Sequence, residues 1–154
     1  MRHLAGTFAV GLAAALAVLG VVPPAAVAAD THAEFVSEAN DVCVDLNRRG
    51  KRIARKVPPG DDRFAEKLIE LSRFNKALGK TIKRLRRIEP APGFEQPVDS
   101  WLDGLRKQRR LSDRYVRSVK RGRRKAALVA LRRGSRVAEK NARKAAKLNL
   151  DDCA

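Results

Sequence analysis

The chain is 154 residues long, which is enough for one domain with a single hydrophobic core. Its 34 Lys and Arg residues outnumber its 17 Asp and Glu residues, so the formal net charge is +17. With only two His and two Cys, and with neither a G-x-S-x-G nor an H-E-x-x-H motif, the sequence lacks the common hydrolase and metalloprotease patterns. It predicts no catalytic residue, no metal site and no cofactor.

The N-terminus has the features of a secretory signal peptide. Arg2 provides a short positive region, an apolar run extends from Leu4 to Val22, and small residues with A-x-A spacing follow at Ala26–Ala28. An uncleaved membrane anchor is the alternative, because the apolar run is about long enough to span a bilayer. The pair Pro23-Pro24, which breaks a helix just before the cleavage site, favours removal.

Cleavage after Ala28 or Ala29 is compatible with this pattern. We therefore expect a signal peptide at residues 1–28, a single domain at residues 29–154 and no mature transmembrane segment. The expected location is secreted or associated with the cell envelope.

Two helices are predicted in the first half of this domain. The first runs from about Thr31 to Val57, where Thr31 and Glu34 have the spacing of a capping box. Its apolar stripe is Phe35, Ala39, Val42, Leu46, Ile53 and Val57. The second follows Asp61-Asp62, after the turn signal Pro58-Pro59-Gly60. It has a heptad-like apolar seam that is interrupted once, at Asn75.

Two more helices are predicted in the second half, after the turn signal Pro90-Ala91-Pro92-Gly93. The third opens at Pro97 and carries Trp101 and Tyr115 on its apolar side. The fourth starts at about Arg124 and is rich in Ala, so it could approach a neighbouring helix closely.

Four amphipathic helices with short connections predict an all-α, four-helix up-down bundle. Gly122 is a weaker turn signal than the proline-containing ones. If it is not a turn, segments three and four merge and the bundle has three helices.

The two cysteines, Cys43 and Cys153, predict one structural disulfide in an exported chain. Redox-active pairs usually lie two residues apart, so this wide separation indicates a structural link. In an antiparallel bundle the tail must fold back along the first helix to reach Cys43. Asn149 suits that reversal because Asn tolerates left-handed backbone, and Leu150 would then pack onto the core.

The two ends of this domain resemble those of a group of small secreted helical proteins of actinobacteria. The run Phe35–Cys43 (FVSEANDVC), followed by Asn47, is similar to the F-x-x-x-A-N-x-x-C-like run of that group, and Asn149–Cys153 (NLDDC) is similar to its G-L-x-x-C ending. Asn149 stands where the group has Gly. The resemblance implies a helical domain with a Cys–Cys link, and it implies no activity.

Acidic residues line one face of the first predicted helix, at the positions Glu34, Glu38, Asp41 and Asp45. A ferritin-like metal site needs inward-facing Glu-x-x-His pairs, which this sequence lacks. The row lies beside the apolar stripe, where a bundle places charges that face a basic neighbour. We therefore expect charge pairing with helix three or helix four.

Basic residues are concentrated in residues 106–147, which hold 18 Lys and Arg against only Asp113 and Glu139. Stripes of this kind attract phosphates or carboxylates. The candidate polyanion contacts are Arg106, Arg110, Arg114, Arg117, Arg121, Arg124, Arg132, Arg136, Lys140, Arg143 and Lys147. The expected partners are anionic envelope polymers or phospholipid headgroups. Because few exposed aromatic side chains are predicted, sequence-specific binding of nucleic acid is not expected.

The sequence leaves three classes of function open. A basic binding or structural module predicts a contiguous cationic face on helices three and four. A protein-partner module without a polyanion role predicts an exposed apolar patch. A small-ligand carrier or an enzyme predicts a concave pocket with convergent polar groups. A basic surface with no function at all is also compatible with the composition.

Overall fold

The computed structural model describes residues 24–56 and 64–153, and every regular element in them is helical. Four α-helices are followed by a one-turn 3-10 helix that we call the terminal turn. Their bounds are Pro24–Lys56 (α1), Phe64–Leu85 (α2), Glu95–Lys120 (α3), Arg124–Lys147 (α4) and Asp151–Cys153 (the terminal turn). None of the described helices is both long enough and apolar enough to cross a membrane.

The helix α1 begins earlier than the sequence predicts. It starts at Pro24, so Thr31 lies inside the helix and does not cap it. The reason is that residues 25–30 are mostly Ala, a strong helix former, and that proline is favoured in the first turn. Val57 and most of the predicted signal peptide, residues 1–23, lie outside the described residues.

The predicted starts of the other helices are close to those observed. The helix α2 begins at Phe64, and the predicted capping residues Asp61-Asp62 lie outside the described part of the chain. The helix α3 begins at Glu95, so Pro97 occupies its first turn, where its missing N–H group is tolerated. The helix α4 begins at Arg124, as predicted.

Gly122 forms a turn, which confirms four helices and makes the three-helix alternative wrong. Its φ of 66° is left-handed. The N–H of Gly122 donates to the carbonyl of Val119 at 2.9 Å, and the N–H of Arg123 donates to that of Ser118 at 2.9 Å. These two bonds form a Schellman motif, which ends α3 and turns the chain into α4.

Each helix packs against the next along the chain, whereas the backbones of α1 and α4 do not come close to each other within the described residues. Within the described residues no Cα atom of α1 lies within 8 Å of one in α4, and the terminal turn contacts both helices. The closest packing is between α3 and α4. The up-down bundle is therefore closed by the C-terminal tail.

The tail reverses at Asn149, as predicted. Its φ is 58°, and the N–H groups of Asn149 and Leu150 donate to the carbonyls of Ala146 and Ala145 at 3.1 and 3.0 Å. This is a second Schellman motif, whose C″ residue typically makes an apolar contact. Leu150 accordingly packs into the core, with none of its surface exposed.

Cys153 is disulfide-bonded to Cys43, with the two Cα atoms 5.2 Å apart. Two asparagines of α1 hold the same tail. The side-chain amide of Asn47 donates to the carbonyl of Asp152 at 2.7 Å, and the amide oxygen of Asn40 accepts the N–H of Asp152 at 3.2 Å. We call these contacts, together with the disulfide, the tail clasp.

The main hydrophobic core lies beside the tail clasp. All four helices contribute to it, and its most completely buried large side chains are Trp101, Leu85 and Leu150. The other buried members are Phe35, Ala39, Val42, Cys43, Val98, Leu102, Ala145 and Leu148. The end of the bundle that carries the tail clasp is thus the apolar, closed end, and we call the opposite end the distal end.

The predicted charge pairing of α1 with helix three or four is wrong. Of the acidic row, Glu34, Glu38 and Asp41 are exposed. The ion pair of this row within the described residues joins Asp45 to Arg84 of α2 at 3.1 Å. The physical reason is that α2 packs along α1, whereas the tail separates α1 from α4.

Removal of the tail contacts is expected to destabilise the closed end. Leu150→Ala should lower the free energy of unfolding by about 2–5 kcal/mol, because it leaves a cavity in the core. Replacing both cysteines by Ser should lower it by about 2–4 kcal/mol, because the unfolded chain is then no longer constrained. Urea unfolding measures both values. Leu128→Ala, at a position that is 52% exposed, is the control and should cost far less.

Replacing each of two helical glycines at the α3–α4 contact by alanine should change the stability of the protein in opposite directions. A Cβ atom on Gly104 would lie 1.7 Å from Oδ1 of the buried Asn141, so Gly104→Ala should destabilise by about 1–3 kcal/mol. On Gly134 the nearest atom, Cβ of Leu111, would be 3.8 Å away. Gly134→Ala should therefore stabilise by about 0.5–1 kcal/mol through its better helix propensity. Thermal unfolding of both variants checks the signs, and equal effects would contradict the packing described.

Candidate anion-binding groove

The helices α3 and α4 form an antiparallel hairpin with two unlike sides. The helix α4 packs inward through its buried residues Ala127, Ala130, Asn141 and Ala145. Lys144 reinforces the contact near the closed end, because its ammonium group donates to the backbone carbonyl and to the hydroxyl of Ser100, both at 2.8 Å. Small side chains bring the two helices close together, so side chains that flank the contact line a groove on either side of it.

One side of the hairpin is a cationic groove. Two adjoining clefts of about 490 and 350 Å³ share Arg114 as a lining residue. Leu111, Ser118, Ala126 and Val137 also line these clefts, and no carboxylate does. The basic side chains that define the cationic groove are all solvent-exposed, and they are Lys107, Arg110, Arg114, Arg117, Arg121, Arg123, Arg133 and Arg136.

Neither acidic residue of the basic segment 106–147 neutralises this groove. Asp113 lies toward α2, where it accepts a hydrogen bond from the side-chain amide of Asn75 at 2.9 Å and lies 3.9 Å from Nε of Arg109. This bond also explains the polar interruption of the α2 seam, since Asn75 is buried at that contact. Glu139 pairs instead with Arg143 at 3.7 Å, outside the groove.

The structure brings together five of the predicted contacts, namely Arg110, Arg114, Arg117, Arg121 and Arg136. The remaining predicted contacts lie elsewhere. Arg106 lies toward α2 and pairs with Asp103. Arg124 lines a cleft on the opposite side of the hairpin. The others occupy exposed positions of α4 that do not line the groove, and they are Arg132, Lys140, Arg143 and Lys147.

The split of the predicted α4 stripe follows from both the direction of its residues and their position along that helix. Relative to the buried residues Ala130 and Asn141, a 3.6-residue period places positions 132 and 143 on the opposite side of α4. Positions 140 and 147 lie nearer the groove side but beyond Val137, the last residue of α4 that lines the groove. Only Arg136 of that stripe reaches the groove. The predicted basic residues therefore do not all share one face, although both helices contribute to the cationic groove.

Sequence reasoning missed three groove residues, Lys107, Arg123 and Arg133. Lys107 lies three residues before Arg110 and so belongs to the same side of α3. Arg133 is related to Arg136 in the same way on α4. Helical spacing could have identified these two, whereas Arg123 lies in the turn, where periodicity gives no signal.

The other side of the hairpin holds an apolar cleft of about 680 Å³ near the distal end. Tyr115 and Val119 of α3 and Leu128 and Leu131 of α4 line it, and Arg124 lies at its edge. A second cleft of about 290 Å³ continues from Tyr115 and Leu131 toward Leu71 of α2. Cationic and apolar surfaces thus lie on opposite sides of the same hairpin.

Other ionisable residues in the described part of the chain form local contacts. His32 stacks on Phe94, with the ring centroids 3.8 Å apart. Glu70 pairs with Arg73 on its own helix. Within the described residues, no group of three or more His, Cys, Asp or Glu side chains is placed to hold a metal ion.

Comparison with known proteins gives no match. No family model matches the sequence, and no curated protein and no solved structure is similar to it.

The side chains of the cationic groove are suited to bind oxyanions. Seven of its eight basic residues are arginines, whose planar guanidinium groups bind phosphate or carboxylate through two parallel hydrogen bonds. From Lys107 to Arg121 the groove extends about 21 Å along α3, at 1.5 Å per residue. That length accommodates several consecutive charges of a linear polymer.

The cationic groove is expected to oppose folding, because its like charges repel one another. Replacing Arg110, Arg114, Arg133 and Arg136 together by Gln should raise the free energy of unfolding by about 1 kcal/mol at low salt. Added salt should raise the stability of the unmodified protein and reduce the difference between the two proteins. Urea unfolding at low and high salt checks this. A less stable variant at low salt would contradict the repulsion.

Proposed function

We propose that this chain is an exported, non-enzymatic binding module that holds anionic polymers or headgroups of the cell envelope in its cationic groove. The observation that carries the proposal is the groove itself, in which eight exposed basic side chains from two helices line adjoining clefts without a carboxylate. Phosphate is the best-matched charge, because it accepts paired hydrogen bonds from arginine.

The rigidity of the hairpin supports a binding role. The backbone of α3 and α4 is held by close packing and by the Schellman turn at Gly122, so the positions of the arginine Cα atoms are fixed before a ligand arrives. The side chains themselves remain exposed and adapt to the ligand. A linear polymer with repeated charges tolerates such adaptation, whereas a small substrate needs fixed polar groups.

Export is part of the proposal. The N-terminal pattern of a signal peptide and the single disulfide are both typical of secreted chains, and the resemblance to secreted actinobacterial proteins agrees with them. Outside the cell the available polyanions are wall polymers, anionic lipids and released DNA. Binding of any of them in the cationic groove would depend on their phosphate groups. For DNA, it would not depend on the base sequence.

Salt-titrated binding to a poly(glycerol phosphate) tests the proposal. With about five phosphate contacts, the binding constant should fall by about 3.5 orders of magnitude for a tenfold rise in salt, and the polymer should be released at about 0.5 M salt. The variant in which Arg110, Arg114, Arg133 and Arg136 become Gln should bind at least about tenfold more weakly at low salt.

A matched control separates the groove from net charge. Replacing Arg132, Lys140, Arg143 and Lys147 by Gln removes the same four charges from the outer positions of α4. This variant should keep most of the affinity. Equal losses in the two variants would show that only total charge matters, and binding that ignores ionic strength would also refute the proposal.

A further inference from the structure

The N-terminal half of α4 exposes apolar side chains that the cationic groove does not use. Leu128, Val129 and Leu131 are 52%, 49% and 48% exposed, which is unusual for three large apolar residues within four positions. They belong to the run Ala126–Leu131, which is apolar on every side of the helix, including the side that faces solvent. We call these three exposed residues the apolar tip.

Cations flank the apolar tip at both ends. Arg123, Arg124 and Lys125 precede the apolar run, and Arg132 and Arg133 follow it, all with exposed side chains. From Arg114 to Ala138 the sequence contains no acidic residue. The apolar tip is therefore embedded in the most uniformly positive part of the molecule, at the distal end.

This combination points to a lipid surface. Helices that lie at a bilayer interface bury apolar side chains at the boundary of the acyl chains, while flanking Lys and Arg side chains extend to anionic headgroups. We infer that the apolar tip inserts into the interface of an anionic bilayer and that the flanking cations bind its phosphates. This inference rests on the proposed function, and it names a phospholipid bilayer as the anionic partner.

The cations that flank the apolar tip argue against the other possible ligands, which are a second copy of this chain and a soluble polyanion. A second copy of this chain would bring two groups of five flanking cations together, which like-charge repulsion opposes. A soluble polyanion would satisfy the cations but leave Leu128, Val129 and Leu131 in water. An anionic bilayer satisfies the charges and the apolar side chains together.

Vesicle binding and monolayer insertion test the inference. The protein is expressed as the complete chain, exported and purified, and is added to vesicles that contain about 30% phosphatidylglycerol. Poly(glycerol phosphate), which carries the same headgroup chemistry, is the soluble comparison. The test variant replaces Leu128, Val129 and Leu131 by Gln, which keeps the helix propensity and every charge. Circular dichroism and urea unfolding verify that the variant is folded.

The apolar tip should distinguish the two ligands. The variant is expected to bind the polymer as the unmodified protein does, but to bind vesicles at least about tenfold more weakly and to lose the rise in surface pressure of an anionic monolayer. Vesicle binding of the unmodified protein should also persist at a salt concentration that releases the polymer. Ile69→Gln is the control, because Ile69 is 48% exposed but lies near Glu66 and Glu70. It should not change vesicle binding.

Each contrary result has a separate meaning. Equal vesicle binding by the unmodified protein and the triple variant, with release of both by salt, would overturn insertion and leave the cationic groove as the binding site. A concentration-dependent dimer in sedimentation that the triple variant abolishes would assign the tip to a second copy and overturn the inference. Failure of the unmodified protein to bind either vesicles or polymer would refute the proposed function as well.

Discussion

The helices α1 and α4 are joined through the C-terminal tail, which contacts both of them, whereas their described backbones do not come close to each other. Three kinds of interaction hold that tail: the covalent bond from Cys43 to Cys153, the hydrogen bonds that Asn40 accepts from and Asn47 donates to Asp152, and the burial of Leu150. They depend on one another, because the left-handed turn at Asn149 aims Leu150 at the core and directs Cys153 toward α1. Without the tail, the core near Trp101 would lose one of its walls.

Because the tail clasp stabilises one end of the bundle, the distal end can carry unpaired basic residues. The main core and its large buried side chains lie beside the tail clasp, while the turn of the α3–α4 hairpin lies at the distal end. That hairpin keeps its shape through local features, namely close helix packing and the Schellman turn at Gly122. It can therefore hold many uncompensated cations, because its geometry does not depend on pairing them with acids. The two acidic residues of its basic segment, residues 106–147, are directed away from the groove, Asp113 to Asn75 and Glu139 to Arg143.

Much of this fold could be predicted from the sequence, and the failures have physical causes. Helical periodicity and turn residues identified four helices, and the spacing of the cysteines with Asn149 identified the tail reversal, because these signals are local. The partner of the acidic row could not be predicted, since it depends on which helices become neighbours after the tail is inserted. The cationic groove was predicted in part. Four residues of the predicted α3 stripe line the groove, namely Arg110, Arg114, Arg117 and Arg121, whereas Arg106 lies toward α2. The α4 stripe needed the direction of the buried side around Ala130 and Asn141, which periodicity alone does not give.

The two surfaces of the hairpin differ in how they would respond to solution conditions, and this difference links structure to the proposed role. The cationic groove acts through charge alone, so salt weakens both the repulsion within it and its attraction for a polyanion. The apolar tip acts through burial of Leu128, Val129 and Leu131, which salt does not screen. A partner that engages both surfaces would be captured at long range by charge and then retained by apolar contact. Such a partner would neutralise the like-charge repulsion among the groove arginines, so its binding would also stabilise the fold. The destabilisation caused by these unpaired arginines would therefore be offset only in the bound state.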